Sequence, residues 1–74
     1  MIKLLSDYAA YMLDSDLTGV VEKIVAQGYA TVEDVFKLKD CIYFLKLQYD
    51  GKADSVSRHR MRLLKDMSYI ANNI

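Results

Sequence analysis

Apolar residues recur at spacings of three and four along almost the whole chain. This is the period of an α-helix. The pattern divides into four segments, residues 2–13, 16–28, 32–50 and 55–72, and the chain contains no proline that would break any of them. The pattern therefore predicts an all-α fold: a small bundle of about four helices in a single domain, residues 1–74.

Polar residues and glycines mark where the predicted helices begin and end. The candidate N-cap residues are Asp14, Ser15 or Asp16 for the second helix, Thr31 for the third, and Asp54 or Ser55 for the fourth. Asp34, three residues after Thr31, completes an acidic variant of the capping box. Gly28 stands where a left-handed residue ends a helix, so we expect the second helix to stop there.

The third predicted helix is apolar on more than one side. One heptad-like seam consists of Val35, Leu38, Ile42, Leu45 and Tyr49. Off that seam lie Phe36, Tyr43, Phe44 and Leu47, and the stretch of residues 41–47 is apolar nearly all round the helix. A helix that is apolar nearly all round is either central to its domain or covered by a second chain. We therefore predict self-association through Cys41, Tyr43, Phe44 and Leu47.

The fourth predicted helix separates an apolar stripe from a basic face. The stripe consists of Val56, Leu63, Met67, Ile70 and Ile74, with Leu64 and Ala71 beside it. The other side carries Arg58, Met61, Arg62, Lys65 and Tyr69. The third and fourth helices are similar in length and joined by a short turn, so we expect them to form an antiparallel hairpin. The first two helices are expected to pack across it.

The composition favours an oligomer. Apolar residues make up 53% of the 74-residue chain, and Cys41 is the only cysteine, so no internal disulfide can form. A domain this short buries only about 60% of the surface that its unfolded chain exposes. A high content of apolar residues without a disulfide or a zinc cluster suggests that some of these residues are buried between chains. We expect a homodimer.

Charge limits the classes of partner. The ten Lys and Arg residues balance the ten Asp and Glu residues, so no overall field attracts nucleic acid or a membrane. The distribution is uneven: residues 1–40 carry four basic and seven acidic side chains, and residues 41–74 carry six and three. No apolar run approaches membrane-spanning length and no targeting segment is evident, so a cytoplasmic location is expected.

No group of residues predicts catalysis or a cofactor. His59 and Cys41 are the sole histidine and cysteine, and burial of Cys41 would raise the pKa of its thiol and make it unreactive. Residues 14–25 partly match a calcium-binding EF-hand loop, but Val25 stands where that loop needs a bidentate glutamate. A helix N-terminus explains these acids better. We expect no enzyme activity, no metal and no cofactor.

A nucleic-acid interface is the alternative. Arg58, Arg60, Arg62 and Lys65 form the densest positive charge in the chain, and such a face could follow a phosphate backbone. Residues 24–38 also resemble the helix-turn-helix part of ribbon-helix-helix repressors, which would imply DNA binding. The chain lacks the basic N-terminal strand of those repressors, and Glu33 and Asp34 would repel phosphate at the reading end.

The sequence favours a protein partner over nucleic acid. Its six tyrosines belong to a residue type enriched at interfaces, together with Met and Arg. The predicted partner-binding set is Arg58, Met61, Arg62, Lys65 and Tyr69. The predicted function is a small regulatory or inhibitor-type protein that acts through its helix faces. Proteins of this kind are frequent among phage accessory factors, an analogy that identifies no partner.

Overall fold

The fold predicted from the sequence is confirmed by a computed structural model, which describes residues 2–74. The helices are α1 (Ile2–Met12), α2 (Ser15–Gln27), α3 (Val32–Tyr49) and α4 (Ser55–Asn73). Each boundary lies within one residue of its predicted position, and the described residues form no strand.

Side chains cap the second and fourth helices. Asp14 Oδ1 accepts a hydrogen bond from the Leu17 N–H at 2.9 Å, and Asp54 Oδ2 accepts one from the Ser57 N–H at 2.9 Å. Asp14 and Asp54 are therefore the N-caps among the residues that the sequence allowed. The hydrogen bond from the Ser57 N–H lowers the pKa of Asp54 below its ordinary value. Gly28 ends α2 at φ 81° with its N–H bonded to the Ile24 and Val25 carbonyls, as predicted.

A buried carboxylate fixes the start of α3. The capping box is present, since Thr31 and Asp34 exchange side-chain and backbone hydrogen bonds at 3.1 Å each. Asp34 is almost fully buried and also accepts hydrogen bonds from Lys23 Nζ at 2.7 Å and Gln27 Nε2 at 3.0 Å. These donors, first Lys23 and then Gln27, hold the pKa of Asp34 well below its ordinary value. The cluster ties the end of α2 to the beginning of α3.

The four helices form a closed ring. Helices α3 and α4 pack as the predicted hairpin, α2 packs on α1 and on α3, and α1 packs on α4. The bundle is elongated, with extents of 37 × 20 × 18 Å. Because each helix has only two neighbours, α3 keeps one long side free of contact with the rest of the chain.

The core is built from one face of each helix. Its members are Leu5, Ala9 and Met12 of α1, Leu17, Val21 and Ile24 of α2, Leu38, Ile42, Leu45 and Tyr49 of α3, and Leu64, Met67, Ile70 and Ala71 of α4. Fully burying one large aliphatic side chain stabilises the fold by about 1.5–3 kcal/mol. The predicted seam of α3 is thus the side that faces the core, with Val35 at its partly buried margin.

The apolar stripe predicted for α4 is confirmed at Met67 and Ile70, which are buried, but the core face is rotated away from its other members. Leu64 and Ala71, predicted to flank the stripe, are fully buried, whereas Leu63 is half-buried and Val56 is 49% exposed. Val56 shares the angular position of Leu63, but it lies in the first turn of α4, at the end of the bundle. In that first turn Ser57 is buried instead of Val56. The core face of α4 therefore includes Leu64 and Ala71, which the pattern had placed beside the predicted stripe.

Candidate protein-interaction surfaces

A row of large apolar side chains runs along the outside of α3. Val32, Phe36, Tyr43 and Leu47 are each more than half exposed. At 3.6 residues per turn they fall within about 60° of one another, on the side of α3 that faces away from the core residues Leu38 and Leu45. We call these four residues the α3 stripe.

The predicted self-association residues divide between two sides of α3. Tyr43 and Leu47 belong to the α3 stripe, and Phe44 lies beside it, 66% exposed, with its ring edge-on to that of Tyr43 at 5.7 Å between centroids. Cys41 does not reach this surface. It is partly buried and lines a hollow near Asp14 and Asp16 at the opposite side of the helix.

The predicted self-association set leaves out two members of the α3 stripe, Val32 and Phe36, although Phe36 was placed off the core seam together with Tyr43 and Leu47. The signal was present in the spacing, because Phe36 precedes Tyr43 by seven residues and Val32 precedes Phe36 by four. Both residues lie outside residues 41–47, of which six are apolar, and the prediction was confined to that stretch.

Charged residues border the α3 stripe, sorted by sign. Lys39 and Lys46 lie along one edge, where they line a hollow with Ser68 of α4. Glu33 and Asp40 lie along the other edge, about 80–100° round the helix from Val32. Glu33 forms an ion pair with Lys37 at 3.1 Å on that same side. The stripe therefore has a basic margin with Lys39 and Lys46 and an opposite margin on which, among residues 2–74, Asp40 is an acid without an ion pair.

A second surface lies where α3 turns into α4. The hollow there has a volume of about 530 Å³ and is lined by Tyr49, Asp50, Gly51, Lys52, Arg58, Met61, Arg62 and Lys65. We call it the basic hollow. It brings together four of the five predicted partner-binding residues, and Met61 among them packs partly against the core. Within residues 2–74, Arg58, Arg62 and Lys65 take part in no ion pair.

Tyr69, the fifth predicted partner-binding residue, lies apart from the basic hollow. It is 67% exposed and borders an apolar hollow of about 380 Å³ between α1 and α4, with Leu4, Tyr8 and Ile70. The five predicted partner-binding residues therefore belong to two separate surfaces on one side of α4, the basic hollow and the apolar hollow beside Tyr69.

Arg60 does not belong to the basic face of α4. Its Nη1 donates a hydrogen bond to Tyr49 Oη at 3.1 Å, and its guanidinium lies 5.4 Å from the centre of the Tyr49 ring. Its Nε is buried without a hydrogen-bond partner. Arg60 therefore joins α3 to α4 and is not available to follow a phosphate backbone.

The two residues considered for nucleophilic chemistry lie at different helix junctions. Burial, followed by the charges of Asp14, Asp16 and Asp40, raises the pKa of the Cys41 thiol, so the thiolate is disfavoured. His59 lies at the α1–α4 junction, with its ring edge-on to Tyr11 at 4.9 Å. In the described part of the chain, no three His, Cys, Asp or Glu side chains come close enough to share a metal ion.

Comparison of the chain with protein-family models, with curated proteins and with solved structures found no match. Among residues 2–74, no helix combines the length and the apolar character that crossing a membrane requires.

Proposed function

We propose that this protein is a non-enzymatic regulator or inhibitor that acts by binding another protein through its helix faces, and that it self-associates through the α3 stripe. The observation that carries this proposal is the exposure of Val32, Phe36, Tyr43 and Leu47 along one side of α3. Large aromatic and aliphatic side chains in contact with water favour association, because burying them removes apolar surface from water.

The size of the α3 stripe supports this proposal. If the four side chains present about 180 Å² each, their exposed fractions amount to roughly 400–500 Å² of mostly apolar surface. Contiguous patches of that size on small proteins are often functional. The stripe is also long, since fifteen residues of α-helix rise by roughly 22 Å.

The basic hollow is the proposed contact for the larger partner. Arg and Met are enriched at protein interfaces, and here Arg58, Arg62 and Met61 line one concave surface. Three unpaired cations and one half-buried apolar side chain suit an acidic segment with an apolar anchor. The charge would guide the approach, and the concave shape would provide packing.

Introducing charge into the α3 stripe tests the self-association. A Phe36→Asp, Tyr43→Asp double variant is expected to weaken the oligomer at least 100-fold, because four carboxylates would have to be desolvated in each dimer. The measurement is light scattering after size exclusion, over a wide concentration range. Tyr69→Asp is the matched control, since Tyr69 is an equally exposed tyrosine on α4 and its replacement should leave the mass unchanged. Equal masses for the double variant and the wild type would contradict the proposal.

A second candidate function is the binding of nucleic acid. The observation that favours it is the gathering of Lys52, Arg58, Arg62 and Lys65 around one hollow, because clustered cations release counterions from a phosphate backbone. The net charge of zero and the acid Asp50 in the lining of the hollow disfavour the binding of nucleic acid. This candidate therefore stands second.

Charge reversal in the basic hollow tests the second candidate. An Arg58→Glu, Arg62→Glu variant is expected to abolish any mobility shift with DNA or RNA at low salt. For the wild type, log K should fall with log salt by about 0.9 for each phosphate contacted. The control is Lys3→Glu with Lys37→Glu, which changes the net charge equally but on other faces. If the wild type shifts no nucleic acid at low salt, this function is ruled out.

A further inference from the structure

We propose that two copies of the chain associate through the α3 stripe in parallel orientation, with the twofold axis running along the two α3 helices. Asp40 of each copy then lies beside Lys39 of the other. The inference rests on the proposed self-association and adds its geometry: which way the helices run and which residues meet.

The sorting of charge along the stripe carries the argument. The basic edge holds Lys39 and Lys46. The acidic edge holds Glu33 and Asp40, and because Glu33 is already paired with Lys37, Asp40 supplies the free negative charge of that edge. The side chains of Glu33, Lys39 and Asp40 are exposed, and that of Lys46 is partly exposed. A second copy brings the same two edges, so its orientation decides which edges meet.

The two possible twofold arrangements bring different edges of the two copies into contact. When the twofold axis runs parallel to the helices, the acidic edge of one copy faces the basic edge of the other, on both sides of the contact. When the axis is perpendicular to the helices, the chains run antiparallel and each edge meets its own equivalent. Lysines then face lysines and carboxylates face carboxylates, which is unfavourable. Charge complementarity therefore selects the parallel dimer.

Parallel alignment also matches the apolar residues. Val32, Phe36, Tyr43 and Leu47 each meet their own equivalent, so aromatic residues pack on aromatic residues at the middle of the contact. Lys39 and Asp40 are neighbours in sequence, only about 1.5 Å apart along the helix axis. Lys39 of each copy can therefore reach Asp40 of the other copy. This pair forms twice because the interface is isologous.

The surface available is sufficient for such a dimer. The roughly 400–500 Å² of apolar surface in the stripe is enlarged by the side chains of the two charged edges. The total approaches the ~800 Å² per partner of a standard-size interface. A second copy is thus an occupant that matches the stripe in area, in apolar character and in charge.

Disulfide trapping tests the orientation. In a Cys41→Ser background, Val32→Cys and Leu47→Cys are prepared separately, mixed, and oxidised mildly. These positions lie at opposite ends of the stripe, roughly 22 Å apart along the axis, and Phe36 and Tyr43 are left intact. The parallel dimer predicts 32–32 and 47–47 cross-links. Mass spectrometry of the mixture should find little 32–47 product, because that pairing would stretch far beyond disulfide geometry.

A charge variant gives an independent test with a different expected result for each orientation. In the parallel dimer, Asp40→Lys places a lysine beside Lys39 of the other copy on both sides, and the dissociation constant should rise roughly 10-fold. Adding Lys39→Asp to the same chain should restore it. In an antiparallel dimer centred on the stripe, residue 40 faces its own equivalent and lies about 10 Å along the axis from Glu33 of the other copy. Asp40→Lys then exchanges one like-charge pair for another, so the dissociation constant should change little and Lys39→Asp should rescue nothing.

The outcomes separate this inference from the proposal beneath it. A dimer that gives mainly 32–47 cross-links, or whose dissociation constant is unchanged by Asp40→Lys, overturns the parallel geometry and leaves self-association standing. A wild-type chain that stays monomeric at all concentrations overturns both, and the α3 stripe would then be left for a different protein. Cross-links at 32–32 and 47–47, together with rescue by Lys39→Asp, support the parallel dimer.

Discussion

Replacing Leu38 with alanine is expected to lower the free energy of unfolding by about 2–5 kcal/mol. Leu38 is fully buried in the middle of α3, and the truncation loses both its transfer free energy and its packing contacts. A 74-residue domain has little stability to spare, so the variant should be partly unfolded at moderate temperature. Urea denaturation followed by circular dichroism measures the change.

Leu47→Ala is the matched control for this change. Leu47 lies on the same helix, nine residues further on, but it belongs to the α3 stripe and is 56% exposed. Its truncation should change the free energy of unfolding by only about 0.5 kcal/mol. Both variants are compared at low protein concentration, where association adds nothing to stability. A loss for Leu47→Ala as large as that for Leu38→Ala would mean that the α3 stripe is not a surface of the folded monomer.

Replacing Asp34 with asparagine is expected to lower the melting temperature by roughly 10 °C. The buried carboxylate accepts hydrogen bonds from Lys23, Gln27 and the backbone of Thr31. An amide would direct an N–H group at one of these donors and leave a buried polar group unpaired. Thermal unfolding near neutral pH gives the comparison with the wild type.

The same carboxylate should make the fold sensitive to acid. The hydrogen bonds from Lys23, Gln27 and Thr31 hold the pKa of Asp34 below its ordinary value of 3.8. Because the pKa is depressed in the folded state, this stabilisation is complete above the ordinary value and is lost as the pH falls through and below it. The wild type should therefore lose stability below about pH 4, and Asp34→Asn should lose less over the same range.

Glu33→Gln is the control for the acid response. Glu33 is the adjacent residue, but its carboxylate is exposed and pairs only with Lys37 on the surface, and such pairs contribute about 0–1 kcal/mol. Its variant should follow the wild-type melting curve closely at every pH. If Asp34→Asn and the wild type show the same dependence on pH, the buried cluster is not the source of acid sensitivity.

The helices of this bundle could be predicted because local signals agree with the fold. Asp14, Thr31, Asp54 and Gly28 mark helix ends through hydrogen bonds within a few residues of chain. The rotation of α4 could not be predicted in the same way. Val56 and Leu63 share one angular position on the helix, and only the neighbouring helices determine that one is exposed and the other half-buried.

The chemical character of the two surfaces could be predicted from the sequence, but not all the residues that form them. The sequence indicated an extra apolar side of α3, and Tyr43 and Leu47 lie on it. The sequence did not show that Cys41 lies on a different side of α3, because an apolar stretch alone does not reveal which side of the helix faces its neighbours. Lys52 was likewise missed at the basic hollow, since it lies in the turn and joins Arg58 and Arg62 only through the geometry of the α3–α4 hairpin.

The closed ring of helices has a consequence for how fast the chain folds. Three of its four helix contacts join helices that follow one another in sequence, and only the packing of α1 on α4 spans the whole chain. Folding rates rise when contacts are local, because little entropy is lost in closing short loops. The hairpins can thus form early, and the docking of α4 on α1 remains as the slow step. Apolar surface along α1 and α4 is exposed until that step is complete.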